Sequence, residues 1–146
     1  MAEVRVESRA RWIATAKGLR WLVLALLLLL AVVAVMLPSY TLAWLRSDYA
    51  WFGEFMQWLD AASTPSFDMT HVVLFGGIAF VAACLWPRLA WWRLGLPLLV
   101  FAVASELVQF WVPGRTPLLG DAWDDLVGMA IGLLLALPIR WLLRRL

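Results

Sequence analysis

With 146 residues, 64% of them hydrophobic, a mean hydropathy of +0.85 and only 15% charged side chains, the chain carries more apolar surface than a water-soluble domain of its size can hide. The net charge of +2 is no sign of a nucleic-acid partner, because no basic face exists outside the flanks of the apolar blocks. The lipid bilayer is the expected partner, and the pattern predicts an all-α membrane protein: a four-transmembrane-helix bundle with an interfacial helix at its outer face.

In chain order, residues 1–18 form a basic N-terminal segment, and 19–143 read as one membrane domain with a 144–146 tail. Apolar blocks near the about 20 residues that cross a bilayer place spans at 19–37, 70–86, 94–112 and 126–143. The first block follows Arg5, Arg9, Arg11, Lys17 and Arg20 and so resembles a signal peptide, but Trp21 to Leu37 is long for an h-region. Leu37-Pro38-Ser39-Tyr40 is also no small-residue cleavage site, so the block is expected to remain as an anchor. In the 38–69 loop, Trp44, Trp51 and Trp58 recur every seven residues with Phe55 on the same stripe. That spacing predicts a short helix lying on the outer leaflet, with Arg46, Asp48 and Glu54 toward water; a loop folded over the bundle is the alternative. Cys84, the single cysteine, has no partner for an intrachain disulfide and is expected to be a small packing residue. Pro138 falls inside the fourth block, where neighbouring helices can re-satisfy the backbone groups it frees.

Charge sets the expected orientation. Ten of the twelve Lys and Arg precede the first span, separate the second from the third (Arg88, Arg93) or end the chain (Arg140, Arg144, Arg145). The positive-inside rule then predicts cytoplasmic N- and C-termini in a bacterial inner membrane. Asp48, Glu54, Asp60, Asp68, Asp121, Asp124 and Asp125 all fall on the opposite side. The tryptophans agree with headgroup levels at both faces: Trp21, Trp86, Trp91, Trp92 and Trp141 at inner ends, Trp111 and Trp123 at outer ends.

An ionisable side chain at the centre of a span costs about 2.5 to 3.5 kcal/mol on insertion scales, so each needs a reason. Glu106 lies six residues before Val112, hence roughly 9 Å below the expected outer end of the third span. Ser105, Glu106 and Gln109 share one sector of that helix and should face the bundle. Asp68 and His71 stand i,i+3 at the start of the second span, and Pro113-Gly114-Arg115-Thr116-Pro117 predicts a tight turn that directs a guanidinium back over the bundle. Asp121, Asp125, Gly128 and Gly132 lie on one helical face, so a G-x-x-x-G packing seam should carry two carboxylates inward. The plainer reading makes Asp121 an N-cap, Asp124 its capping-box acid, and the polar group a knot that locks helices together.

These residues resemble the VanZ-like family of membrane proteins. The resemblance rests on Ser105-Glu106-Leu107-Val108-Gln109-Phe110, Pro113-Gly114-Arg115, Asp121, Gly128 and Gly132, with Phe67-Asp68-Met69-Thr70-His71 upstream. It departs at Asp125, where the family commonly has asparagine, and at Met69, where it commonly has lysine. The resemblance implies an association with resistance to glycopeptide antibiotics such as teicoplanin and a role in the cell envelope.

Three functions stay open. One is a periplasm-facing pocket for a lipid-linked, peptidoglycan-related or antibiotic-related ligand, built from Asp68, His71, Ser105, Glu106, Gln109, Arg115, Asp121 and Asp125. In it Arg115 clamps an anionic group, Glu106 and Gln109 orient hydroxyls or amides, and the acids of the fourth span meet a cationic or polar part. The second is an intramembrane enzyme, with His71 held by Asp68 as base and Glu106 or Asp121 as acid. No nucleophile motif, His/Cys zinc cluster or phosphate loop is present, so no metal or cofactor is assigned, although Asp68, Asp121 and Asp125 could offer oxygens to a divalent cation. The third is a structural or adaptor protein. Transport has no continuous polar path, and a second copy of the chain remains a candidate partner.

Overall fold

The computed structural model describes the backbone of residues 2–115 and 119–145 and the side chains within them except at 2–14, 16, 35 and 119. Among these residues the chain is all-helical: α1 (Ala2–Met36), α2 (Ser39–Asp48), α3 (Ala50–Ala62), α4 (Met69–Leu85), α5 (Trp91–Gln109), α6 (Leu119–Leu135) and α7 (Leu137–Arg145). An isolated bridge between Thr64 and Phe67 tightens the turn before α4.

Two helices are long and apolar enough to cross a membrane, α1 over Lys17–Ala34 and α5 over Trp91–Gln109, and a third if α6 and α7 form one bent span. The apolar α4 has 17 residues. Leu22, Leu26, Leu29, Leu30 and Val33 of α1 are exposed, as are Leu96, Val100, Val103 and Leu107 of α5. Such continuous apolar faces are stable in contact with lipid and unfavourable in water.

Several boundaries differ from those the sequence predicts. A helix expected to continue to Val112 ends at Gln109, in turns where Trp111 N–H donates to Val108 and Val112 N–H to Gln109. Pro113 and Gly114 follow; Gly114 has φ 77°, a left-handed conformation that favours glycine. Glu106 is therefore about one turn closer to the helix end than expected, and Arg93 belongs to α5 instead of a loop. The segment expected as one span over 126–143 starts earlier, at Leu119, and bends by 41° between α6 and α7. Pro138 is the second residue of α7, where a missing backbone N–H leaves no helical bond unmade.

The Trp-rich segment forms two helices instead of one. Tyr49 takes an extended conformation (φ −117°, ψ 97°), which separates Trp44 on α2 from Trp51 and Trp58 on α3 and so breaks the seven-residue stripe. The two helices fold against each other at Gly53, where a Cβ would press on the backbone carbonyl of Arg46. Arg46 Nη1 reaches Asp60 Oδ2 at 2.9 Å instead of extending freely to water.

The core lies where α4 meets α1, α5 and α6, around Phe75, Ile78, Ala79, Leu98, Ala102 and Met129. Closest of all is the contact of α4 with α6. A Cβ on Gly128 would strike the carbonyl of Val72, one on Gly132 the carbonyl of Gly76, and one on Gly76 would come within 3.0 Å of the carbonyl oxygen of Gly128. Backbones this close maximise dispersion contact, the main attraction left between helices in lipid. They also bring the N-terminal turns of α4 and α6 side by side.

Candidate functional site

The polar side chains gather where α4 and α6 begin and α5 ends. Asp68 caps α4, its Oδ1 accepting from Thr70 N–H at 2.7 Å. This commits its carboxylate to the backbone, and a different acid holds His71: Nδ1 lies 2.9 Å from Asp125 Oδ1. The expected Asp68–His71 pair is thus replaced by a pair across the α4–α6 contact. An N-cap side chain folds toward the free N–H groups of its own helix, whereas the seam delivers the α6 face directly to His71. Asp125 is 0% exposed.

Asp121 is the third residue of α6 and not its N-cap. Its Oδ2 stands 3.9 Å from His71 Nε2, on the opposite side of the ring from Asp125. Asp124 is no capping-box acid either: buried, it accepts the backbone N–H of Asp68 on Oδ2 at 2.6 Å and so ties α6 to the start of α4. Sequence spacing holds no hint of that link, which joins residues 56 apart.

From α5, Glu106 and Gln109 reach the same place, Gln109 Nε2 donating to Glu106 Oε1 at 3.4 Å. One ligand atom each from His71, Glu106 and Asp121 lie within 4.8 Å of one another. These are the three that converge, whereas Asp68 and Asp125, two of the acids expected to offer oxygens to a cation, are engaged on Thr70 and His71. Ser105 turns away, donating its hydroxyl to Ala102 O at 2.7 Å within α5.

Arg115 follows the Gly114 turn and sends Nε toward Leu37 O at 3.4 Å, bridging the end of α5 to the end of α1. Its neighbours Thr116 and Pro117, named in the expected turn, lie outside the described residues. Arg115, His71, Asp68 and Gln109 are among the residues lining a cavity of about 550 Å³. The rest of its wall is apolar, built from Leu27, Leu30 and Val33 of α1, Phe52, Phe55 and Met56 of α3, and Val73 and Gly77 of α4. Arg46 and Asp60 complete the polar rim. The cavity thus combines a largely apolar wall with two arginines, two acids, an imidazole and an amide.

A second buried charge lies at the other end of the molecule. Arg140, expected on a solvated flank, is 1% exposed, donates through Nη2 to Leu89 O at 2.6 Å and stacks over Trp91 at 3.9 Å. Arg144 Nε bonds Pro87 O nearby, also at 2.6 Å. The bend before α7 turns these arginines onto the α4–α5 connection, and only the Trp91-Trp92 pair hints in the sequence at an aromatic seat for one of them.

Comparison of the chain with protein-family models, with curated proteins and with solved structures finds no match in any of the three.

Proposed function

We propose that the chain is a VanZ-like integral membrane protein of four spans whose outward-facing groove binds an amphiphile of the cell envelope through its headgroup. In this reading α1, α4, α5 and the bent α6–α7 pair cross the bacterial inner membrane with both termini cytoplasmic, and α2 and α3 lie at the periplasmic interface with Trp51 and Trp58 toward lipid. The observation that carries the reading is the cavity itself, which joins an apolar wall on α1, α3 and α4 to Arg115, His71 and Gln109. Acyl or prenyl chains take the apolar length, Arg115 meets a phosphate or carboxylate, and Gln109 orients a hydroxyl or amide. The acids of α6 serve differently than the sequence suggests, Asp125 holding His71 and Asp124 holding the start of α4. Glycopeptide resistance is a role that the resemblance, and not the geometry, brings to this proposal.

The test is Arg115→Ala. Its expected outcome is normal expression and thermal stability in detergent, with lipid co-purification by native mass spectrometry reduced at least tenfold and any glycopeptide-resistance phenotype lost. Undiminished lipid retention and phenotype in that variant eliminate the headgroup reading. A second reading has one observation in its favour: His71, oriented by Asp125 and open to the cavity, is built as a general base is, which suits an acid–base enzyme acting on the same headgroup. A purely structural role predicts instead that lost function tracks lost stability, residue by residue.

A further inference from the structure

His71 presents two faces to two carboxylates, and only one of the contacts is a hydrogen bond. At Nδ1 the distance to Asp125 Oδ1 is 2.9 Å. At Nε2 the distance to Asp121 Oδ2 is 3.9 Å, beyond hydrogen-bond reach. A neutral imidazole that donates from Nδ1 carries a lone pair on Nε2. In that state the lone pair faces an acid oxygen, and the two electron-rich atoms are reconciled either by a second proton on the ring or by a cation held between them.

Glu106 comes to the same point from a third helix, its ligand atom within 4.8 Å of those of His71 and Asp121. Bonds of about 2.0 to 2.2 Å from nitrogen and oxygen to a first-row divalent ion separate neighbouring ligands by roughly 3 to 3.5 Å. The present spacing is wider than that, so an ion would have to draw the three side chains inward. Asp125 supplies an independent sign: it is 0% exposed, and its Oδ2 is buried without a hydrogen-bond partner among the described residues, beside the ring it holds. A carboxylate that grips the far nitrogen of a ligating histidine is the usual outer support of a metal site, fixing the tautomer and strengthening the donor.

We infer that His71 Nε2, Glu106 and Asp121 bind one divalent cation of the zinc or manganese class, with Asp125 as the positioning residue behind His71. One imidazole and two carboxylates suit ions of intermediate softness. Three protein ligands leave coordination positions open, as in catalytic and substrate-bridging sites and unlike closed structural ones. Of the three ligands His71 also lines the cavity, and water can complete the shell. The inference goes beyond the headgroup reading and stands without it, since the ion alone is the probe.

The experiment uses the full chain in nanodiscs, free of affinity tag and stripped with EDTA, titrated with Mn²⁺ and separately with Zn²⁺. One ion per chain is expected, with nitrogen coupling from a single imidazole in the pulsed EPR spectrum of the Mn²⁺ form. Glu106→Gln and Asp121→Asn should each weaken binding at least tenfold, and His71→Gln should abolish the nitrogen coupling. Asp125→Asn should keep the stoichiometry and weaken affinity about 10- to 100-fold. Absence of stoichiometric binding, Mn²⁺ bound without imidazole coupling, or wild-type affinity in both carboxylate variants overturns the site. Should the His71 variant fail to fold, the coupling in the wild-type spectrum decides the matter alone.

Discussion

Asp124 shows how one carboxylate can align two helices. Its Oδ2 takes the backbone N–H of Asp68 at 2.6 Å, and Asp68 in turn caps α4 through Thr70 N–H at 2.7 Å, so the first turn of α4 is fixed by a relay of two acids. Charge-assisted bonds of this kind contribute about 1.5 to 3 kcal/mol in water-soluble proteins, and interhelical bonds in membranes less, about 0.6 to 1.7. Asp124→Ala should therefore lower stability by about 1 to 2 kcal/mol, read as an earlier thermal transition of the purified protein. Glu54→Ala, on the exposed face of α3, should leave the transition in place. At this scale the sequence was legible in part. Glu106, Gln109, His71, Asp121 and Arg115 could be assigned to neighbouring helix ends from span boundaries alone, and His71, Glu106 and Asp121 converge in the structure. Which acid holds His71 was not legible, because Asp68 is near in sequence but turned to its own helix, whereas Asp125 is 54 residues distant and delivered by packing. The misassigned cap has a similar cause: α6 starts at Leu119, two residues before Asp121, so Asp124 falls on a face the capping pattern does not consider.

At the scale of elements, the α4–α6 contact is the joint on which the polar cluster depends. Gly128 and Gly132 lie against the carbonyls of Val72 and Gly76, with no room for a side chain. Gly132→Leu should force the helices apart, separating His71 from Asp125 and yielding protein that aggregates in size-exclusion chromatography. A monodisperse, normally melting Gly132→Leu protein would show that the joint tolerates separation. Gly95 on α5 is the opposite case: a methyl group in place of its hydrogen would meet nothing within 4 Å, so Gly95→Ala should be stabilising, by up to about 1 kcal/mol from helix propensity. The glycine spacing announced a close helix contact on α6, without naming α4 as the partner, because small residues four apart make a flat strip on any helix. The tryptophan spacing misled because a seven-residue repeat marks one face only while the helix is unbroken, and α2 stops at Asp48. An acid at a helix C-terminus is opposed by the dipole there, which is the signal that could have placed the break.

For the whole molecule, the proposed orientation turns on charge that the fold distributes to opposite ends: the acids at the starts of α4 and α6, the arginines of α7 against the α4–α5 connection. Labelling from outside the cell tests it. In a Cys84→Ala background, Ser66→Cys, on the exposed turn before α4, should react with a membrane-impermeant maleimide, while Arg145→Cys should react only after the membrane is opened. The reverse pattern inverts the topology. The number of apolar blocks and their charge bias were visible in the sequence, whereas the 41° bend and the burial of Arg140 were not, since both follow from how α7 docks rather than from its composition. The cavity has a geometric consequence of its own. Leu30 and Val33 of α1 and Val73 of α4 line it and are also exposed among the apolar residues of the surface, so its apolar wall reaches the outside of the molecule. On the proposed reading, a guest in such a slot would arrive by diffusing in the plane of the leaflet and never have to leave oil for water. Its occupancy would then follow its mole fraction among neighbouring lipids, and alkyl detergents would compete for the same slot as solvents rather than as inert carriers.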